Sequence, residues 1–151
     1  MKKRTKSRVW ALQAAYGMHI SGRCAGRILD DFFSWRKVGA QNQELTVRLL
    51  DSLEAHLAEV DDLLASHLRN WSPQRLAVID RLLIRLAVTE LLYFEDIPPK
   101  VTINEYVSLA HVFGTDDSPR FVNGVLDAVN KTIAGRALRP KTATAGGGEE
   151  G

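Results

Sequence analysis

Apolar residues recur along the chain at intervals of three and four, the period of helices with one buried face, and nothing reads as a ladder of strands. Val9, Leu12, Ala15 and Tyr16 form one such stripe and predict a helix over residues 5–18. Ile28, Leu29, Phe32 and Phe33 predict a second over residues 24–35. The series Leu45, Leu49, Leu53, Leu57, Val60, Leu64 and Leu68 is helical throughout residues 42–69. A continuous helix of that length is unusual in a small globule, so a break is expected near residues 57–60. The next stripe, Leu76, Ile79, Leu83, Leu86 and Ala87, is widened by Leu82, Ile84, Val88 and Leu92 until it is apolar almost all round. A helix of that kind belongs at the centre of the fold.

Polar and proline residues mark the ends. Ser72 before Pro73 predicts the start of the central helix, because proline at the first helical position loses no hydrogen bond. Pro98-Pro99 predicts its end. Thr102-Ile103-Asn104-Glu105 has the spacing of a capping box for the following helix, which should stop after Phe113 with Gly114 as a left-handed cap. Ser118-Pro119 repeats the serine–proline start and opens a helix with Phe121, Val122, Val125, Leu126, Val129 and Ile133, ended by Gly135. Residues 136–151 are basic and then rich in Thr, Ala and Gly, the composition of a disordered tail behind a domain of residues 1–135. The expected fold is all-α, with about seven helices.

Composition narrows the class. A hydrophobic share of 45% and a charged share of 25% are those of an ordinary globular domain. No apolar run approaches the ~20 residues of a membrane helix, and no apolar segment follows the N-terminal charges as in a secretory signal. The single cysteine, Cys24, leaves no disulfide framework or multi-cysteine zinc site. A cytoplasmic location follows as an expectation.

The net charge of +2 hides a segregation. Residues 1–40 hold nine Lys or Arg against two Asp, residues 41–118 hold six against thirteen acids, and residues 119–142 hold five against one. Basic termini suggest a polyanionic partner and an acidic middle a different one, although solvated helix faces alone would explain such a pattern about half the time. Lys2, Lys3, Arg4, Lys6 and Arg8 crowd the positive end of the first helix dipole, a conflict that a phosphate would relieve. Arg4 and Arg8, one turn apart, are expected to line one side of that helix. Trp10 and Tyr16 offer aromatic faces on which unpaired bases can stack, although a core role for at least one is the commoner outcome. Ser118, Arg120 and Asn123 at a helix start form a weaker phosphate or base-edge candidate, and Gly124 reads first as a close-packing position.

Catalytic patterns are absent from the sequence. His19, His56, His67 and His111 have no ligand spacing, and the adjacent pairs Asp61-Asp62 and Asp116-Asp117 diverge on a helix or loop. No glycine-rich phosphate loop precedes a helix, so neither an enzyme nor a cofactor is expected.

Several runs resemble the NusB transcription antitermination family. They are Asp96-Ile97-Pro98, Ile103-Asn104-Glu105, Leu109-Ala110 with Phe113-Gly114, and above all Phe121-Val122-Asn123-Gly124-Val125-Leu126-Asp127. Ile79-Asp80-Arg81 with Glu90-Leu91 and Arg4, Arg8, Ala11-Leu12-Gln13-Ala14 and Tyr16 extend the resemblance over residues 4–133. It implies two packed helical bundles and a bacterial factor that joins the ribosomal protein NusE to bind single-stranded boxA RNA in the antitermination complex of RNA polymerase. It also implies an RNA surface of Lys2, Lys3, Arg4, Lys6, Arg8, Tyr16, Ser118, Arg120 and Phe121, and a NusE surface with Asp80, Arg81 and Lys100. Val9 stands where a glutamate is usual, Tyr106 where a small residue is usual and His111 where lysine is common. The competing reading is a protein-interaction module or homodimeric adaptor of the same fold without specific RNA binding. A third, an accessory domain of a ribosomal RNA methyltransferase, would need a separate enzyme partner.

Overall fold

A computed structural model describes residues 3–35, 40–68 and 76–136, and over these the chain forms seven α-helices with no strand. They are α1 (Lys3–Ser21), α2 (Ala25–Trp35), α3 (Ala40–Ala55), α4 (Leu57–His67), α5 (Val78–Tyr93), α6 (Pro99–Phe113) and α7 (Ser118–Arg136). Helices α1, α2 and α3 pack on one another as one bundle and α4 to α7 as a second. Helix α5 joins them, because it also lies against α1 and α3. One continuous core runs through both bundles, from Leu12, Leu29 and Leu49 to Leu83, Leu109 and Leu126. From Asp80 to Leu91 only Arg85 of α5 escapes burial, as expected of a helix that is apolar all round.

The expected break in the leucine series falls at His56, one residue before the expected range. The His56 N–H bonds to the Ser52 carbonyl and its own carbonyl accepts from Val60, so hydrogen bonds continue across the break although His56 itself leaves the helical conformation. The ring is held at the break. Nδ1 sits 2.9 Å from the Ser52 carbonyl, and the imidazole stacks on Tyr93 of α5 at 3.9 Å between centroids.

Other ends differ from expectation. Ser72 and Pro73 lie outside the described residues; α5 starts at Val78 behind Ala77, which makes no side-chain cap. The capping box is not formed. Helix α6 already begins at Pro99, with Pro98 in the cap position, so Thr102 and Glu105 sit inside the helix and turn their side chains to other elements. Gly114 does end α6, but its φ of −96° is an ordinary one and no left-handed cap forms. Its lack of a side chain serves a close approach instead, since a Cβ there would lie 2.5 Å from the Ser118 Cβ and 2.9 Å from the Ala110 carbonyl oxygen. Helix α7 continues through Gly135 to Arg136, and the expected tail lies outside the described residues. Nothing within 4 Å would meet a Cβ at Gly124, so the close packing expected there is not found.

Candidate functional site

Arg8 departs most from expectation. It is 1% exposed, and its guanidinium lies flat against the carboxylate of Glu90, itself 0% exposed, with Nε–Oε2 at 2.8 Å and Nη2–Oε1 at 2.9 Å. Thr102 donates to Glu90 Oε1 at 2.9 Å and the Tyr106 hydroxyl to Oε2 at 2.6 Å. The carboxylate on α5 thus accepts from four donors carried by α1 and α6. Glu105 closes the cluster, accepting from Arg8 Nη1 at 3.3 Å and from the Thr5 hydroxyl. Burial alone would lower the Arg8 pKa, but hydrogen bonding and attraction from Glu90 outweigh it and the value is raised. Burial, followed by the charge of Glu90, pushes the Tyr106 hydroxyl well above its usual value. Such an arrangement repays desolvation only when the donors and lone pairs are met, and here they are. Arg8 is therefore a bolt between α1, α5 and α6 and is not an RNA-facing cation.

The exposed cations of the arm are Arg4 and Lys6; the side chains of Lys2 and Lys3 lie outside the described residues. Arg4 Nη2 is 3.7 Å from Asp96, whose other oxygen is held by Arg48 at 2.7 Å. Those two arginines, the hydrogen-bonded Arg48 foremost, keep the Asp96 carboxyl below the usual range. Arg4 and Arg8 thus differ in surroundings, one at the surface and one in the core.

Helix α1 runs antiparallel to α5: Arg4 meets Asp96 just past the C-terminal end of α5, while His19 meets Arg81 at its N-terminal end. Asp80 and Arg81 are consequently ~20 Å along α5 from the turn that leads to Lys100. Lys100 is exposed in the first turn of α6, beyond the Asp96 end of α5 that Arg4 meets, and is far from Asp80 and Arg81. Tyr16 moves the other way. It is 44% exposed and tilted against His19, at the far end of α1 from Arg4, while Trp10 packs edge-on against Phe32 in the core.

At the start of α7, Ser118 is 1% exposed and its Oγ accepts from the Thr115 N–H at 2.9 Å. Its hydroxyl thus serves the turn between α6 and α7, and the expected RNA contact is not presented at the surface. Phe121 is half-buried against the core. Arg120 is exposed and opens onto a cleft of about 450 Å³ between α6 and α7, beside Asn104, Ser108, His111 and Asn123. These polar side chains make no hydrogen bond or ion pair with other described residues. The cleft walls can therefore offer donors and acceptors to a phosphate or a base edge. Glu105, turned about 100° away from Asn104, ties α6 to the first turns of α1.

The sequence signal for the buried cluster is weak. Glu90 is the one acid in the apolar second half of α5, and a buried carboxylate of that kind demands a cationic partner, but nothing in the pattern singles out Arg8, 82 residues away. Among the described residues no group of His, Cys, Asp and Glu could hold a metal ion, and Cys24 is exposed.

Residues 5–131 match the model of the NusB family. A transcription antitermination protein NusB of Pseudothermotoga lettingae is 36% identical over 134 residues, covering 89% of this chain and 95% of its own. The structure is similar to a T. maritima NusB, with a TM-score of 0.78, 33% identity and coverage of 85% of this chain and 90% of that one. It is also similar to a chain from a crystal structure of the antitermination factors NusB and NusE in complex with double-stranded RNA, with a TM-score of 0.79, 26% identity and coverage of 87% and 98%.

Proposed function

The chain belongs to the NusB family, and from that premise we propose that it is a transcription antitermination factor that binds boxA-type RNA together with ribosomal protein NusE. The observation that carries this reading is the likeness, over nearly the whole chain, to a factor solved with NusE and RNA. That RNA was double-stranded; the single-stranded preference proposed here rests on the exposed polar cleft, where unpaired base edges are within reach of Asn104 and Asn123. Arg4, Lys6 and Arg120 are the exposed cations proposed to meet phosphates, and Lys2 and Lys3, adjacent to Arg4 in sequence, and the exposed Lys100 are proposed to join them. The role is regulatory, exercised in the cytoplasm with RNA polymerase, and no helix among the described residues is long and apolar enough to cross a membrane.

Titration of boxA-containing RNA with and without NusE tests the reading. RNA affinity should rise when NusE is present, and binding in neither case at low salt would overturn it. Each phosphate contact on a single strand contributes about −0.7 to the slope of log K against log salt. Replacing Arg120 or Arg4 with alanine should flatten that slope by about this amount each, whereas Arg8 contributes no phosphate contact of its own.

A further inference from the structure

Trp35 ends α2 with 85% of its surface exposed, more than any other large apolar side chain among the described residues. Tryptophan is on average a well-covered residue, and the rest of α2 behaves as an amphipathic helix should, with Ala25, Leu29 and Phe32 buried on one face. Phe32 packs edge-on against Trp10 of α1 at 5.5 Å and against Phe33 at 5.9 Å. Trp35 follows Phe32 by three residues, about 60° round the helix, which carries its indole out of the core and onto the rim.

The packing of α2 on α1 sets where that rim lies. Ile28 stands 3.6 Å from where a Cβ of Gly17 would be, and Phe32 meets Trp10, so α2 runs antiparallel to α1. Trp35, ~4.5 Å along α2 beyond Phe32, thus comes level with the first turns of α1. Lys6 precedes Trp10 by one turn, within about 40° of it round α1, and is placed on the same side. Arg8, two residues on, is turned the opposite way, toward Glu90 and Glu105. The exposed indole and the exposed Lys6 therefore share the edge between α1 and α2. Asp31, one turn before Trp35, is held by Arg23 at 2.8 Å, and Asp30 lies about 140° round the helix from the indole.

We propose that Trp35 is a stacking platform for one unpaired base of the RNA, with Lys6 meeting a phosphate beside it. The proposal rests on the reading that the chain binds single-stranded RNA. An exposed aromatic face beside a cation is the combination that holds single strands, the ring taking a base and the cation the backbone. A protein partner would call for more exposed apolar surface around the indole. The other exposed apolar side chains lie elsewhere: Tyr16 and Ile20 toward the far end of α1, and Val101, Val112 and Phe113 on α6. Because the cleft between α6 and α7 is on the Arg8 side of α1, Trp35 takes a nucleotide that flanks those at the cleft.

Trp35→Ala and Trp35→Phe are compared with the wild-type chain by thermal unfolding and by titration with boxA RNA that carries flanking nucleotides on both sides, with NusE present and over a range of salt. Trp35→Ala should weaken RNA binding about fivefold or more. The slope of log K against log salt should stay that of the wild type, because stacking releases no counterions, whereas Lys6→Ala should flatten it by about 0.7. Trp35→Phe keeps a ring and should recover most of the affinity, and RNA should quench its tryptophan emission less than that of the wild type. Both Trp35 variants should unfold within about 2 °C of the wild type, as expected at an exposed position. Unchanged RNA affinity in Trp35→Ala, while the wild type binds, overturns this proposal and leaves the antitermination reading standing. A loss in Trp35→Ala that comes with a lower Tm and no difference in quenching makes the indole a structural residue and overturns it as well. Weakened binding of NusE in the absence of RNA assigns Trp35 to a protein contact, with the same result. Absence of RNA binding by the wild type, with and without NusE, overturns both readings.

Discussion

Two buried arginines on opposite ends of the α1–α5 pair are treated in opposite ways. Arg8 has Nε, Nη1 and Nη2 all directed at carboxylates, and the carboxylate it shares with Thr102 and Tyr106 is itself saturated. Arg81 is buried to nearly the same degree, and its Nε and Nη1 meet no carboxylate among the described residues. The first arrangement is finished within one chain, so its chemistry is used up in holding three helices together. The second is open among the described residues, and an open buried polar group calls for a specific explanation, such as an ordered water or an ion. The contrast is not one of charge, since both side chains are cations on helices that also carry exposed charge.

The largest predicted effect tests the finished end. Arg8→Met leaves Glu90 as a buried carboxylate without its counter-ion, and loss of one partner of such a pair costs about 3–5 kcal/mol. Thermal unfolding should show a fall in Tm on the order of 10 °C. The same chemical change at Arg81 is expected to raise Tm. Opposite signs for one substitution at two equally buried arginines are the sharpest form of the comparison, and equal signs would break it.

Tyr106→Phe is milder. It removes one of the four donors to Glu90 and keeps the ring, so it should cost about 1.5–3 kcal/mol, the range for a hydrogen bond to a charged group. It also tests alkaline behaviour. The Tyr106 hydroxyl is raised in the fold, so the neutral form is favoured there, and stability present below pH 10 is lost as pH rises above that ordinary value. Tyr93, pushed up to about 12 by burial and its bond to Glu59, acts in the same direction. Denaturation followed from pH 9 to 12 should therefore show a shallower loss of stability in the phenylalanine variant. An identical slope would remove Tyr106 from the account of the cluster.

One end is legible in the sequence and the other is not, and the reason is the range of the interactions. Helix periods are local, so the spacing of Leu83, Leu86 and their neighbours is enough to place α5 at the centre. The pairing of Arg8 with Glu90 is not local, and an arginine in a basic arm looks the same whether it meets phosphate or a buried acid. Tyr106 stands out in the sequence only as a departure from the family, and the bond from its hydroxyl to Glu90 is made by the packing of α6 on α5. Thr102 and Glu105 have the spacing of a capping box, but the two prolines before them start the helix earlier, and the same spacing then turns both residues toward α5 and α1. Lys100 and Arg81 are grouped by resemblance; the length of α5 sets them apart. Arg120 and the cleft are partly legible, because Ser118-Pro119 marks a helix start, although Ser118 itself turns inward.

The smallest effect lies at the surface, where Arg4 and Arg48 share Asp96. This pair is neither finished nor buried: the side chains of Arg4 and Asp96 are about half exposed. Arg48 additionally lies over the Phe94 ring at 3.8 Å, a contact that does not depend on the acid. Asp96→Asn should therefore change stability by no more than about 1 kcal/mol. Because the fold lowers the Asp96 pKa, whatever stability it adds is present above the ordinary carboxylate value and fades as pH falls through the lowered one. The effect on RNA has the opposite sign. The substitution removes a negative charge beside the arm and frees Arg4, so RNA affinity at low salt should rise, with the gain lost again in Arg4→Ala/Asp96→Asn. If Asp96→Asn instead weakened RNA binding, Asp96 would have to be aligning Arg4 for phosphate, and the surface end of α1 would belong with the finished, positioning kind of arginine and not with the open kind.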